Sequence, residues 1–175
     1  FELPRLGDFK VEYRVTVGAE LTLELDVLNI GNRDFDFEAC LHTYLQVSGI
    51  DAISLTGLSK CGFLNKLNNA NMVESAPEIR ITSEVDRVYY DHTATVAIHD
   101  PGYDRTIQIA KTGSNSTVVW NPWIDKSIRM PDFGDEEYLH MVCVESGNVG
   151  TNKVTLPVGE RTVLKVVMGS GKLLS

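Results

Sequence analysis

Apolar and polar residues alternate with a period of two along much of the chain, which is typical of strands that bury one face. Residues 11–17 and 21–27 alternate in this way, and Gly18-Ala19-Glu20 between them predicts a hairpin turn. Further strands are predicted for residues 34–47, 79–83, 87–90, 94–99, 106–111, 117–120, 141–145 and 162–167. Helical periodicity is scarce, and only residues 59–68 and 135–140 are candidates for a helical turn or two.

Many short strands without helical crossovers predict an all-β fold, and more specifically an antiparallel β-sandwich. At 175 residues the chain has the length of one domain with a sizeable core. We therefore predict a single β-sandwich domain over residues 1–175. Because the first residue is Phe1 rather than Met, we expect the chain to be part of a longer protein.

Composition narrows the possible partners. A net charge of -8 argues against a general nucleic-acid surface, although it leaves room for a local basic pocket that holds one phosphate. No apolar stretch approaches the length of about 18 residues that a membrane span needs, and no signal peptide is visible. Three widely spaced cysteines, Cys40, Cys61 and Cys143, favour reduced thiols in the cytoplasm over disulfides or a zinc site.

One predicted strand runs directly into a carboxylate. The apolar residues 141–144 are followed at once by Glu145, and then by Ser146-Gly147. Glutamate is rarely fully buried without a partner. We therefore predict that Glu145 lies at a strand end, where Ser146-Gly147 turns the chain away. There it either reaches solvent or has a function.

Other polar and aromatic residues interrupt the strand pattern. His42 lies in an apolar-rich strand, so it is either a hydrogen-bonded structural histidine or a proton-transfer group. Asp86 directly precedes the strand predicted at residues 87–90, and the structural alternative for it is a turn or strand-start aspartate. Trp120 and Trp123 flank Asn121-Pro122, and the proline ends a strand because it cannot donate to the ladder. The indoles either cap that strand end or form an aromatic wall over a sugar ring.

Together these residues provide an acid/base histidine, a glutamate, a hydrogen-bonding aspartate and an aromatic surface, which suits proton transfer on a carbohydrate. The sequence contains no GxSxG, P-loop, HExxH or Rossmann glycine pattern. Cys40 and Cys143 lie inside apolar strand patterns, which argues against a nucleophilic thiol.

Three segments, in the same order, carry a family resemblance. LHTYLQV, VDRVYY and VVWNPWIDKSIRMPDFGDEEYLHMVCVESGNV resemble the D-hexose-6-phosphate mutarotases (glucose-6-phosphate 1-epimerases), a branch of the aldose 1-epimerase superfamily. The resemblance runs from about Phe9 to Leu174, and its last block is the most specific. It implies a galactose-mutarotase-like supersandwich that lacks its N-terminal strands here. Family members carry further upstream residues, including arginines that hold the sugar phosphate.

The resemblance also implies an isomerase and roles for individual residues. His42 matches the catalytic histidine that protonates the ring oxygen, and Glu145 matches the glutamate that takes the proton from the C1 hydroxyl. Asp86 matches an aspartate that binds sugar hydroxyls, and we add Trp120 and Asn121 as substrate-binding candidates. The implied substrate is a small hexose 6-phosphate whose α and β anomers interconvert. The implied reaction needs no metal or organic cofactor, and no nucleic-acid or membrane partner is expected.

The chain departs from the family pattern in two places. Leu45 follows Tyr44 where the family often has an aromatic residue, and Ser146-Gly147-Asn148 stands where it often has Pro-Gly-His. The nearby cations Arg87, Lys126 and Arg129 are each interpreted first as surface residues, although the last two flank the tryptophan segment.

Three alternatives stay open. An enzyme of the same superfamily for unphosphorylated aldoses would share the acid/base pair. A non-catalytic carbohydrate-binding sandwich would keep the aromatic wall alone. A glycosidase would need two carboxylates that flank one bond, and casting Glu145 and Asp86 in those roles leaves His42 unexplained.

Overall fold

The computed structural model describes residues 8–173, which are built almost entirely of β-strands. The strands are β1 (Phe9–Val17), β2 (Leu21–Asn29), β3 (Phe35–Phe37), β4 (Ala39–Leu41), β5 (Tyr44–Gln46), β6 (Ser54–Thr56), β7 (Gly62–Asn65), β8 (Ala70–Val73), β9 (Val85–Tyr90), β10 (Val96–Asp100), β11 (Arg105–Thr112), β12 (Ser116–Asn121), β13 (Met141–Asn148), β14 (Val154–Leu156) and β15 (Arg161–Lys172). One α-helix, α1 (Trp123–Arg129), and three 3-10 turns, at Pro101–Tyr103, Glu137–His140 and Gly150–Asn152, connect some of them. Within this part of the chain, no helix is long and apolar enough to cross a membrane.

The strands form two large antiparallel sheets. The first has the order β1-β2-β15-β11-β10-β6. The second has the order β4-β13-β12-β9-β7-β8, with β5 also paired to β13, and β14 pairs with β3 in a small separate ribbon. One buried apolar cluster contains residues of both large sheets, such as Ile98 and Ile109 from the first and Val119 and Val142 from the second. The prediction of an all-β antiparallel sandwich is confirmed.

Several predicted elements differ in the structure. The strand predicted at residues 34–47 is broken into β3, β4 and β5. The helical turns predicted at 59–68 are wrong, because this stretch belongs to the hairpin of β7 and β8. In that hairpin the side chains of Asn65 and Asn68 accept hydrogen bonds from the backbone N–H groups of Leu67 and Ala70, which closes tight turns.

Two further differences lie outside the sheets. The strand predicted at residues 79–83 is wrong, since only Ile79 pairs with a neighbour, in an isolated bridge to Leu55. The sequence analysis also missed α1, which begins directly after Pro122. The predicted end of β12 before Pro122 is where the structure has it, since the strand stops at Asn121.

Lys111 is a cation largely enclosed by the fold. Its Nζ donates hydrogen bonds to the carbonyl of Ser116, at 2.7 Å, and to the Thr117 hydroxyl, at 2.6 Å. The Thr117 hydroxyl is also 2.8 Å from Nδ1 of the buried His92. Burial lowers the pKa of Lys111 from 10.5 to about 8, because the charged form loses water that these neutral oxygens only partly replace.

We expect Ile98→Ala to lower the free energy of unfolding by about 2–5 kcal/mol, because it leaves a cavity in the core. Ile98 is 0% exposed, whereas Ile128 on α1 is 60% exposed. Ile128→Ala is therefore the matched control, with an expected change of about 0.5 kcal/mol or less. Urea unfolding measures both, and equal effects would contradict the assignment of Ile98 to the core.

Lys111 predicts a pH-dependent stability difference. Between pH 8 and 10.5 the folded protein has a neutral Lys111 while the unfolded chain binds the proton, so this group makes stability rise with pH. Below pH 8 both states are protonated and the burial cost is constant. The free energy of unfolding of Lys111→Met minus that of the parent should therefore decrease as pH rises through this window.

Urea unfolding of both proteins, below pH 8 and at pH 10.5, measures that difference. Lys10→Met, at an exposed lysine, is the control and should show no such trend. A Lys111→Met difference that is constant with pH would rule out the lowered pKa.

Candidate active site

Strand β13 places Glu145 on the face of its sheet that is turned away from the core. Successive side chains of a strand point to opposite faces. Val142 and Val144 belong to the core cluster, so Met141, Cys143 and Glu145 lie on the other face. Glu145 is nevertheless buried, with 5% of its side chain exposed.

The strand does not end at Glu145, so that prediction and the turn predicted at Ser146-Gly147 are wrong. β13 continues to Asn148 because Ser146, Gly147 and Asn148 pair with Leu41, Cys40 and Ala39 of β4. This pairing requires a glycine at position 147, because the residue there has no room for a side chain. A Cβ built there would lie 2.7 Å from the Ala39 carbonyl oxygen and 2.8 Å from Cys40 Sγ.

A break in the neighbouring strand brings His42 to Glu145. β5 pairs with residues 141–143 of β13, and β4 pairs with residues 146–148. His42 and Thr43 lie between the two short strands, opposite Glu145. The distance from His42 Nδ1 to Glu145 Oε1 is 3.1 Å, and 67% of the histidine side chain is exposed. The structure therefore joins an accessible imidazole to a buried carboxylate.

Cys40 is a third member of this cluster. Its Sγ donates a hydrogen bond of 3.4 Å to Glu145 Oε2. Burial, with the negative charge of Glu145 adding to it, raises the pKa of the Cys40 thiol to about 12. Burial also raises the pKa of Cys143. Both groups are therefore protonated thiols near neutral pH, which argues against a cysteine nucleophile here.

The environment of Glu145 acts on its pKa in two directions. Burial raises the pKa above that of an ordinary glutamate, because the carboxylate loses water. The positive form of His42 and the hydrogen bond from Cys40 oppose this rise, since both stabilise the charged form. Burial is the larger effect. An ionised Glu145 is consequently a stronger base than an exposed glutamate would be.

Cross-strand register brings two more predicted residues to the same face. Trp120 of β12 lies opposite Cys143 on one side and Asp86 of β9 on the other. Trp120 and Asp86, together with His42 and Glu145, line a cavity of about 430 Å³. A larger cavity of about 610 Å³ lies beside it and shares the wall residue Tyr44, but its lining does not include the His42–Glu145 pair.

Aromatic rings build one wall of the smaller cavity. The Trp120 ring centroid is 5.8 Å from that of Tyr44 and 6.2 Å from that of Phe133, and both contacts are edge-to-face. Such pairs hold an indole in one orientation. The predicted aromatic wall therefore consists of Trp120 supported by Tyr44. Trp123 lies elsewhere, packed on Tyr138 at 5.4 Å and against the core.

The missed helix α1 supplies a cation to the cavity. Lys126 Nζ is 3.2 Å from Glu84 Oε1, 3.9 Å from Asp86 Oδ2 and 5.7 Å from the Trp120 ring centroid. Lys66, whose backbone N–H donates to the Asp86 carbonyl, also lines the cavity. The sequence analysis overlooked Lys66 and treated Lys126 as a surface residue. Both lysines lie near Asp86 because β9 lies between β7 and β12 in the sheet, which the sequence does not reveal.

The other predicted cations and Asn121 lie outside the cavity lining. Arg87 pairs with Glu74 at 2.8 Å, and Arg129 is exposed on α1. Asn121 is buried, and its Nδ2 donates to the carbonyls of Tyr138 and Met141, both at 2.9 Å. Its Oδ1 accepts the Trp123 N–H at 2.9 Å. The structure thus gives Asn121 a role in shaping the β12–α1 turn.

Comparison with known proteins adds the family. The model of the aldose 1-epimerase family matches residues 6–169. The chain belongs to this family. Cenchrus ciliaris has a curated relative named "Putative glucose-6-phosphate 1-epimerase", 36% identical over 157 residues, which cover 87% of this chain and 47% of the relative. Escherichia coli K12 has a relative of the same name, 33% identical over 85% of this chain and 49% of its own length.

A solved structure supports the fold. The crystal structure of a "putative mutarotase" (YeaD) of Salmonella typhimurium superposes with a TM-score of 0.86 at 27% identity. The match covers 95% of this chain and 55% of that protein. The chain therefore spans about half the length of the curated relatives and of the solved structure that it matches.

We expect Gly147→Ala to lower the free energy of unfolding by about 1–3 kcal/mol and to displace β4, because the new methyl group overlaps Ala39 and Cys40. The His42 imidazole resonances should shift with it. Gly171→Ala is the matched control, since a Cβ there meets nothing within 4 Å. Thermal unfolding and NMR of the histidine ring measure the two effects, and an unperturbed Gly147→Ala protein would contradict the close pairing.

Proposed function

We propose that this chain carries the acid/base site of an enzyme that interconverts the α and β anomers of a hexose 6-phosphate. The observation that carries the proposal is the contact of 3.1 Å between the accessible His42 and the buried Glu145. This pair stands at the wall of a cavity of about 430 Å³, within the usual range for small-molecule sites.

Proton transfer at two positions accounts for the reaction. Glu145 accepts the proton of the C1 hydroxyl while His42 donates a proton to the ring oxygen, and the bond between C1 and the ring oxygen breaks. The open aldehyde rotates about the C1–C2 bond. The ring oxygen then attacks the other face of C1, His42 recovers its proton from the ring oxygen, and Glu145 returns its proton to the C1 oxygen.

Both protons are returned in this cycle, so it consumes no oxidant and calls for no metal or organic cofactor. Each positioned proton-transfer group typically contributes about 10²–10⁴-fold in rate.

The cavity lining supports a sugar as the substrate. The Trp120 indole offers a flat apolar surface for a sugar ring, and the Asp86 carboxylate accepts hydrogen bonds from hydroxyl groups. Lys66 and Lys126 bring positive charge for an anionic substituent. The phosphate in the proposal rests on these two cations and on the names of the relatives from Cenchrus ciliaris and Escherichia coli.

Charge and thiol chemistry support the setting of this activity. The chain has a net charge of -8, which favours a small substrate over nucleic acid. Its three cysteines are free thiols, which supports a reducing compartment such as the cytoplasm.

Anomer exchange on glucose 6-phosphate and on free glucose, measured by NMR, tests the proposal. We expect exchange above the buffer rate, a higher kcat/KM for the phosphate, and a loss of at least about 10²-fold in both His42→Asn and Glu145→Gln. His99→Asn, in β10 of the other sheet, and Glu20→Gln, in the turn before β2, are matched controls and should keep the parent rate.

Each contrary outcome has a distinct meaning. Equal kcat/KM for the two sugars would favour an enzyme for unphosphorylated aldoses. Sugar binding that survives Glu145→Gln, with no exchange in the parent chain, would favour a carbohydrate-binding sandwich. Full exchange in Glu145→Gln would overturn the role of this carboxylate.

A further inference from the structure

We propose that Cys40, His42 and Glu145 form a binding site for a thiophilic divalent cation, with Zn²⁺ as the best match. Cys40 Sγ, a ring nitrogen of His42 and a carboxylate oxygen of Glu145 lie within 4.8 Å of one another. The thiolate is a soft ligand, the imidazole an intermediate one and the carboxylate a hard one. Zinc sites in proteins use all three kinds. This site follows from the geometry alone and does not depend on the proposed reaction.

The contacts that Glu145 makes with His42 and Cys40 are close to the ligand separations around a small tetrahedral ion. Zinc bonds of about 2.0–2.3 Å place neighbouring ligand atoms of a tetrahedron about 3.3–3.6 Å apart. Here the Nδ1–Oε1 distance is 3.1 Å and the Sγ–Oε2 distance is 3.4 Å. These two contacts use different oxygens of Glu145, so a cation held by Cys40, His42 and one carboxylate oxygen would bind after rotation of side chains whose ligand atoms already lie within 4.8 Å of one another.

The strands themselves hold the ligands in place. Cys40 and Glu145 lie on paired strands, with Cys40 opposite Gly147, and His42 follows in the break of the same edge. All three ligand residues line the cavity of about 430 Å³, from which a water would complete the coordination. The exposed imidazole marks the side from which a cation enters.

Binding exchanges protons for the metal in a balanced way. The Cys40 thiol loses its proton to solvent and becomes a thiolate ligand. His42 binds through the Nδ1 lone pair and keeps its remaining proton on Nε2, and Glu145 binds as a carboxylate. One thiolate and one carboxylate neutralise the two positive charges of the ion, which offsets the cost of holding these groups out of water.

The donor set predicts which cations bind. A thiolate with an imidazole selects Zn²⁺, Co²⁺ or Cu²⁺ over Mg²⁺ and Ca²⁺, which prefer oxygen ligands alone. On the proposed function, the bound cation would occupy the lone pairs of His42 and Glu145 that proton transfer uses. It would therefore inhibit anomer exchange in competition with the sugar, and a chelator would reverse the inhibition.

Titration of the chain with Zn²⁺ alone, followed by calorimetry, and with Co²⁺, followed by absorption, tests the site. We expect one ion per chain, a thiolate-to-cobalt charge-transfer band, and no heat with Mg²⁺. Cys40→Ser should abolish the band, and both Cys40→Ser and His42→Asn should weaken Zn²⁺ binding at least ten-fold. Because His42 is largely exposed, its substitution leaves the fold intact and keeps the test valid if Cys40→Ser unfolds.

Cys61→Ser is the matched control, because Cys61 is also a half-buried free thiol, and it should bind Zn²⁺ like the parent. Parent-like binding in His42→Asn, a charge-transfer band that survives Cys40→Ser, or binding that is lost in Cys61→Ser would each overturn the proposal. The titrations contain no sugar, so their failure leaves the proposed reaction standing. Conversely, a chain that binds Zn²⁺ through Cys40 and His42 but shows no anomer exchange would overturn only the proposed reaction.

Discussion

The pairing of β13 with a broken edge strand is the constraint on which the site depends. β4 and β5 each pair with one end of β13, and the two residues between them are free of that ladder. This break allows a histidine side chain to approach a carboxylate on the neighbouring strand at 3.1 Å. The approach of β4 in turn requires a glycine at position 147. A backbone feature thus sets the distance between His42 and Glu145.

The same strand alternation builds both the core and the cavity. In β12 and β13 one face carries Val119, Val142 and Val144 into the space between the sheets. The opposite face carries Trp120 and Glu145 into the cavity. Because both sets are fixed by one register, a slip of one residue would exchange core and cavity together. Core packing therefore secures the site's geometry.

Electrostatics then distinguishes the members of the site. Glu145 is buried, so its proton affinity is raised, whereas the imidazole beside it is open to solvent. The hydrogen bond from Cys40 gives the buried carboxylate a second partner. Among residues 8–173, the ion-pair partner of this carboxylate is His42 rather than a lysine or an arginine. Such a carboxylate remains available for proton transfer or for a cation.

The sequence by itself determined the fold class and most strands, because period-two alternation reports directly which face of a strand is buried. It also singled out His42, Asp86, Trp120 and Glu145, all of which line one cavity. Only the tertiary structure decided that β13 runs past Glu145, that Asn121 supports a turn, and that Cys40 joins the cluster. The first and third facts depend on contacts between residues about a hundred positions apart, which local patterns do not encode. The role of Asn121 depends on its contacts with Tyr138 and Met141, which lie 17 and 20 positions later.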